Sequence, residues 1–443
     1  MHSIVQHRTA DSRGVGYVRL DSKWKISLLL LLGALLVNLT AAFLLRSHAT
    51  IGSIDGDEQE YWGLAGRLLE NGIHSIPARR TFAFPLAIAA LRRIFGDNYL
   101  QVQMALSTVI SISPVLLYWI VNRRFADEQV ARLSAVIAVV WPAFVRFGAT
   151  IYSDSLGLMT FLIFLLVFPL PTAIAAQGMN RWRQWCFAGA MLGICILMKP
   201  LYLLFAPIAF LLALYSERSP SSRVLAGILL TLGCLVVVLP WSAYLSNRES
   251  QFILISANDG ETVAGGLNPA LLAMKGNEPY VGTDGRATWI GPGKWVLAKE
   301  TGYLSASDLE LPYTQQSKLL SQRSRTWIAA HPRDVAYLSV RKILYMWGLY
   351  PFWNGVSQSV LGNIPLLLLV AAAALGLRRH WQVASNLALF WTLPIFSTIV
   401  AVASWGSWRF RMPADIGIIV LAASLLVAVK QKAPENIARP TTA

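Results

Sequence analysis

Asp55, Asp57, Glu58 and Glu60 stand within six residues of one another in the stretch DGDEQEYW. Carboxylates gathered in this way can accept a proton from a reacting hydroxyl, hold a hard divalent cation through oxygen, or face the positive end of a helix dipole. The residues that follow predict a helix: Tyr61, Leu64, Ala65 and Leu68 recur at i, i+3, i+4 and i+7, and Asn71 with Gly72 marks its end. Asp57 followed three residues later by Glu60 also has the form of an N-cap with its capping-box partner, so capping and chemistry stand side by side.

The chain that must position this cluster is built for a bilayer. Of its 443 residues 55% are hydrophobic and 14% charged, and the mean hydropathy is +0.51, well beyond soluble domains. The formal net charge of +15 punctuates apolar runs and is not gathered in a basic domain, which fits positive-inside orientation and speaks against nucleic acid. Cys186, Cys195 and Cys234 lie in apolar runs without CxxC spacing and read as inert core thiols.

At about 20 apolar residues per crossing, the expected architecture is an all-α polytopic membrane protein of about ten spans. These are Ile26–Leu45, Leu100–Val121, Val130–Phe147, Leu156–Ala176, Trp185–Leu197, Leu201–Tyr215, Val224–Leu245, Val360–Leu377, Val383–Val402 and Pro413–Val429. Arg13, Arg19, Lys23 and Lys25 precede the first, with no cleavable signal pattern, and Arg123/Arg124, Arg181/Arg183, Arg218/Arg223 and Arg378/Arg379 fall in loops on the same side. The expected order is a cytoplasmic tail 1–25, an N-terminal transmembrane module 26–245 with a first outer loop 46–99, an outer-face loop region 246–341, C-terminal transmembrane helices 342–430, and a cytoplasmic tail 431–443. A second interfacial helix, Phe84 to Phe95, lies in the first outer loop, and the outer-face region has loop and short-helix composition.

This count puts Asp154, in YSDSLGLM, on the same outer face as Asp57, although Asp154 also fits an N-cap beside Ser153. The same face carries Arg79, Arg80, Lys199, Arg341, Lys342, Arg409 and Arg411, positive charge placed against the orientation bias. Arg92, Arg93 and Lys342 read as headgroup or snorkelling contacts.

An apolar span, an outer acidic pair Asp57–Glu58 heading a helix with Tyr61, a connection bearing Gly72, Pro77 and Arg79, a second interfacial helix and then many spans resembles the GT-C glycosyltransferases. Within them the chain is most similar to the protein mannosyltransferase and aminoarabinose transferase superfamily. MKP at Met198–Pro200, HPRDVAYLSVRKIL at His331–Leu344 and WRFRMP at Trp408–Pro413 carry the likeness across the chain.

The resemblance implies a GT-C fold and a polyprenyl-phosphate-sugar donor. It implies transfer, with inversion, to a cell-envelope glycan, lipid or protein at the outer face of the membrane. In that frame Asp57 is the base, Glu58 shapes the site or holds the acceptor, and Asp154 is a second acid. Tyr61, Arg79, Arg80, Lys199, Arg409 and Arg411 meet substrate, the cations around its phosphate. The aminoarabinose branch has a lysine before the proline of its second interfacial helix; here the place reads Ala83, Phe84, Pro85.

Asp57, Glu58 and Asp154 could hold a divalent cation, but no histidine cluster supports a transition metal, so no metal is assigned; His74 and His331 read as loop histidines. Trp289, Trp295, Trp405 and Trp408 could stack on a sugar. The alternative reading is a transporter or flippase of lipid-linked glycans, disfavoured because nearly all charges sit at span ends and no repeated halves are seen.

Overall fold

The computed structural model describes residues 12–47, 56–125, 127–169, 181–273, 279–281, 287–289, 303–347, 356–380, 387–404 and 406–432. Asp55, Trp295 and Trp405 lie outside the described residues, as do the side chains of Trp289 and Trp408.

The first half is a run of helices: α1 Ser12–Arg46, α2 Gly56–Asn71, α3 Ala83–Phe95, α4 Tyr99–Ile110, α5 Ser113–Phe125, α6 Glu128–Val140, α7 Pro142–Gly148, α8 Ser153–Val167 and α9 Arg181–Met198. A 3-10 turn over Pro200–Phe205 leads into α10 Ala206–Ser216, then α11 Pro220–Glu249, α12 Asp259–Gly266 and α13 Ala270–Ala273. After a hairpin of β1 Pro279–Val281 and β2 Ala287–Trp289 come α14 Tyr313–Ala330, α15 Pro332–Met346, α16 Val356–Arg379, α17 Ala388–Ala403 and α18 Met412–Lys432, the last entered through a 3-10 turn at Trp408–Arg411.

Among the described residues four helical stretches are long and apolar enough to cross a membrane: 22–46, 99–125, 220–249 and 409–427. The pair α6 and α7 counts as a further span if its 54° bend is taken as a break, and three shorter apolar helices accompany them. The bend falls where the sequence reading had one straight segment. Pro142 has no backbone N–H and holds Trp141 in extended conformation (φ −66°, ψ 121°), so the helix must restart.

The outer-face region also differs from the expected loops and short helices. It holds α14 and α15, of 18 and 15 residues, and the expected boundary at 341/342 falls inside α15.

Two large cores and two small clusters, the latter around α12 to α15, organise the described residues. The larger joins α5, α6, α8, α9, α17 and α18 around Phe161, Phe164, Phe205 and Phe396. Its tightest seam is α9 on α11, where a Cβ added at Gly189 would sit 2.0 Å from the Leu230 carbonyl oxygen and one at Gly233 2.1 Å from that of Cys186, so only glycine admits the approach. The second core seats α2 and α3: Leu64, Ala65, Phe84 and Ile88 are buried against Val102 and Leu106 of α4 and Leu245 of α11. Tyr61, Leu64, Ala65 and Leu68 are thus one packed stripe, as their spacing requires.

Candidate active site

Asp57 lies in the first turn of α2, and its carboxylate is not a cap. Oδ1 accepts from Arg80 Nη2 at 2.8 Å and Oδ2 from Arg409 Nη2 at 2.7 Å. Glu60, one turn along the same face, accepts from the same Arg80 Nη2 at 2.5 Å and from Arg79 Nε at 2.9 Å, so the capping-box reading gives way to an arginine clamp. Asp154 likewise is not an N-cap: Tyr152 holds that position in α8 without a side-chain cap bond, and Asp154 Oδ1 pairs with Lys199 Nζ, with Arg409 Nε 3.8 Å away. Tyr61 completes the cluster, its hydroxyl 3.3 Å from Ser153 Oγ and its ring under the Arg80 guanidinium at 5.1 Å.

Burial opposes ionisation of Asp57, but Arg409 and Arg80 outweigh it and hold its carboxyl well below the usual carboxylate range. Glu60 is lowered in the same way, burial being overcome by Arg80 and Arg79. Lys199 moves the other way for a cation: burial pushes its ammonium down to about 8, with Asp154 pulling it up.

Glu58 stands behind this cluster. Its side chain is buried and accepts from Tyr99 Oη at 2.9 Å, from the Ile151 backbone N–H at 2.8 Å and from Arg46, joining the end of α1, the start of α4 and the approach to α8. That place fits shaping the site; the expected alternative of holding the acceptor does not fit, because Glu58 does not line the cavity.

Arg411 is also turned away. It binds Asp415 at 2.9 Å and the Met346 carbonyl at 2.9 Å, while Asp415 accepts from Trp141 Nε1 at 2.8 Å, which makes Arg411 a strut among α15, α18 and the α6–α7 bend. Its expected contact with phosphate does not fit this position. Arg409, two residues earlier, points into the site between the rings of Tyr152 and Phe410, at 5.3 and 5.2 Å.

The loop delivering Arg409 is fixed by Lys342. Fully buried, Lys342 donates to the Val402 and Ser404 carbonyls, both at 2.8 Å, closing the C-terminal end of α17. A Cβ at Gly406 would lie 2.1 Å from the Lys342 carbonyl oxygen, so glycine lets the loop seat there. Lys342 is therefore not a headgroup contact as expected, nor is Arg92, which stacks on Trp62 at 4.3 Å and donates to Asp97 at 2.7 Å and to the Trp62 carbonyl. Arg341 is buried, 3.4 Å from the Leu271 carbonyl oxygen. His74 and His331 meet Tyr244 and the Trp327 carbonyl.

The acids and cations open on one cavity of about 1620 Å³ lined by Asp57, Glu60, Tyr61, Arg79, Arg80, Lys199 and Arg409. Asp154 is not itself in the lining; it is buried and paired with Lys199, which is. Part of the lining is apolar, with Leu203, Leu204 and the largely exposed Phe252; another part is polar and comes from α14. Asp154 Oδ2, Arg80 Nε and Arg409 Nε are buried polar atoms without a hydrogen-bond partner among the described residues. As a metal site the carboxylates do not fit: Asp57 and Asp154 face cations, Glu58 faces elsewhere, and no group of three His, Cys, Asp or Glu converges among the described residues.

Of the residues read from the sequence, Asp57, Asp154, Tyr61, Arg79, Arg80, Lys199 and Arg409 come together, while Glu58 and Arg411 do not. Glu60, read from the sequence as the capping-box partner of Asp57, joins the cluster through Arg79 and Arg80.

Fold and site together define a helical membrane protein with an amphiphile-sized cavity headed by carboxylates and cations. Residues 79–244 match the family model described as dolichyl-phosphate-mannose-protein mannosyltransferase. The chain is 24% identical over 207 residues to the undecaprenyl phosphate-alpha-4-amino-4-deoxy-L-arabinose arabinosyl transferase of Erwinia tasmaniensis, covering 44% of this chain and 37% of that protein. Both likenesses are to sugar transferases whose names carry a lipid phosphate, and each covers less than half of this chain. The archaeal oligosaccharyltransferase AglB from Archaeoglobus fulgidus, solved with an inhibitory peptide and a dolichol-phosphate, is similar at a TM-score of 0.49 and 13% identity, over 94% of this chain and 52% of that one.

Proposed function

We propose that this protein transfers a sugar from a polyprenyl-phosphate carrier to a cell-envelope acceptor at the outer face of the membrane, inverting the anomeric centre. The observation that carries this reading is the cavity, in which an apolar wall adjoins Arg80, Lys199 and Arg409. An amphiphile with a phosphate head matches that combination, and the names of the two sequence relatives include a lipid phosphate. The buried, unpartnered nitrogens of Arg80 and Arg409 suit a ligand that supplies acceptor oxygens.

In the step itself the acceptor hydroxyl oxygen bonds to the anomeric carbon as the carbon–oxygen bond to phosphate breaks. The hydroxyl proton passes to Asp57, and the electron pair leaves with the lipid phosphate, whose charge Arg80, Arg409 and Lys199 stabilise. Arg79 acts through Glu60, and Tyr61 holds Arg80 in place. Asp154 sets Lys199.

The test is mass spectrometry of envelope glycolipids and polysaccharides from cells with wild-type or Asp57→Asn protein. One glycosyl unit should be missing in the variant, with transfer by the purified variant down about 10²–10⁴-fold while the protein still inserts. Full transfer by Asp57→Asn would remove Asp57 as the base. An altered sidedness of carrier lipid with intact glycans would favour a flippase.

A further inference from the structure

The transfer reading leaves one wall of the cavity without a role. Thr314, Ser317, Lys318, Ser321, Gln322 and Arg325 of α14 line it, a helical stripe of hydroxyl, amide and cationic groups with no apolar member. Beside the stripe α14 is packed: Leu320 is buried, and at Ser317, on the stripe's edge, α14 meets α12 so closely that a Cβ at Gly260 would lie 1.9 Å from the Ser317 carbonyl oxygen. α14 is therefore held rigidly with its polar stripe towards the cavity.

Charge separates this wall from the donor end. Arg79, Arg80, Lys199 and Arg409 are each paired with Asp57, Glu60 or Asp154. Arg323, also on α14, is paired with Asp308 at 2.6 Å. Lys318 and Arg325 are exposed in the cavity and are in no ion pair with the described residues. Seven residues apart, they stand two turns or about 10.5 Å from one another along the helix, with Ser321 and Gln322 between them.

We propose that the α14 wall is the acceptor site and that the acceptor is a saccharide carrying an anionic group, phosphate or carboxylate. This rests on the glycosyl-transfer reading above. Lys318 and Arg325 hold the anionic group, Ser321 and Gln322 bond sugar hydroxyls, and the free acceptor hydroxyl is presented across the cavity to Asp57.

The test uses the full-length protein in nanodiscs of zwitterionic lipid and measures binding of glucosamine 1-phosphate, glucuronic acid and neutral glucosamine. The same preparations are titrated with short-chain polyprenyl phosphate. Wild-type protein should bind one or both anionic sugars in preference to the neutral one. Lys318→Gln with Arg325→Gln should weaken that binding about tenfold or more and leave polyprenyl phosphate binding unchanged. The sugar that responds identifies phosphate or carboxylate as the group read.

Equal binding of all three sugars, or anionic binding untouched by the double variant, overturns the acceptor site while the donor reading stands. Loss of polyprenyl phosphate binding in wild-type protein would instead strike the transfer reading. A double variant that changed only affinity for anionic lipid in the nanodisc would assign these cations to the membrane and overturn the proposal.

Discussion

Asp57 and Lys199 are both shifted from their ordinary ionisation, for opposite reasons, and each fixes a pH behaviour. Asp57 is lowered by two arginines, so it is ionised throughout the physiological range and contributes no acid limb there. Lys199 is lowered by burial to about 8, charged below that pH and neutral above it. The donor efficiency of the free enzyme, kcat/KM, should therefore fall as pH rises through about 8. Lys199→Arg should keep its charge and abolish that limb. A wild-type profile that stays flat through this range would exclude Lys199 from phosphate binding. At this scale the sequence was legible in residue type and weak in direction. Asp57 and Glu58 are neighbours, yet a helix turns about 100° between them. One side chain enters the cavity and the other locks three elements behind it.

Arg409 shows why elements matter as much as residues. Its loop depends on the closed end of α17, on buried Lys342 and on the absence of a side chain at Gly406. Gly406→Ala forces a methyl against a backbone oxygen that cannot yield, which should cost about 1–3 kcal/mol of stability. Displacing Arg409 by about 1 Å should lower transfer about 10²-fold. Thermal unfolding and glycosyl transfer of the purified variant check both, and an unchanged variant would show that the loop seats without this contact. Periodicity made α2 and α3 readable, because each buries one stripe. It hid α14, whose cavity face is polar and whose surroundings are rich in Gly, Pro and Asn. Two residues along the 3-10 turn carry Arg411 about two-thirds of a revolution from Arg409, which is why one reaches the cavity and the other the strut with Asp415.

For the molecule as a whole, hydropathy and charge placement made a helical membrane protein and its candidate polar face legible, because they follow from lipid as solvent. Helix rotation about its own axis leaves no such mark, so buried Lys342 and Arg92 looked like headgroup contacts until their carbonyl and aromatic partners were seen. The arginine clamp on Asp57 reaches further than one side chain, since it ties the chain to itself across 352 positions. The site at rest is already occupied by its own anion. On the proposed reading an incoming lipid phosphate competes with Asp57 for Arg80 and Arg409, so loading the donor would loosen the carboxylate and raise its basicity only once there is something to transfer. Asp57→Asn should accordingly bind short-chain polyprenyl phosphate more tightly than wild type even as turnover collapses, and should gain more thermal stability from it. Equal or weaker binding would mean that the phosphate sits elsewhere. With that competition in place, the proposed base would be freed only after the carrier has loaded, whichever partner binds first.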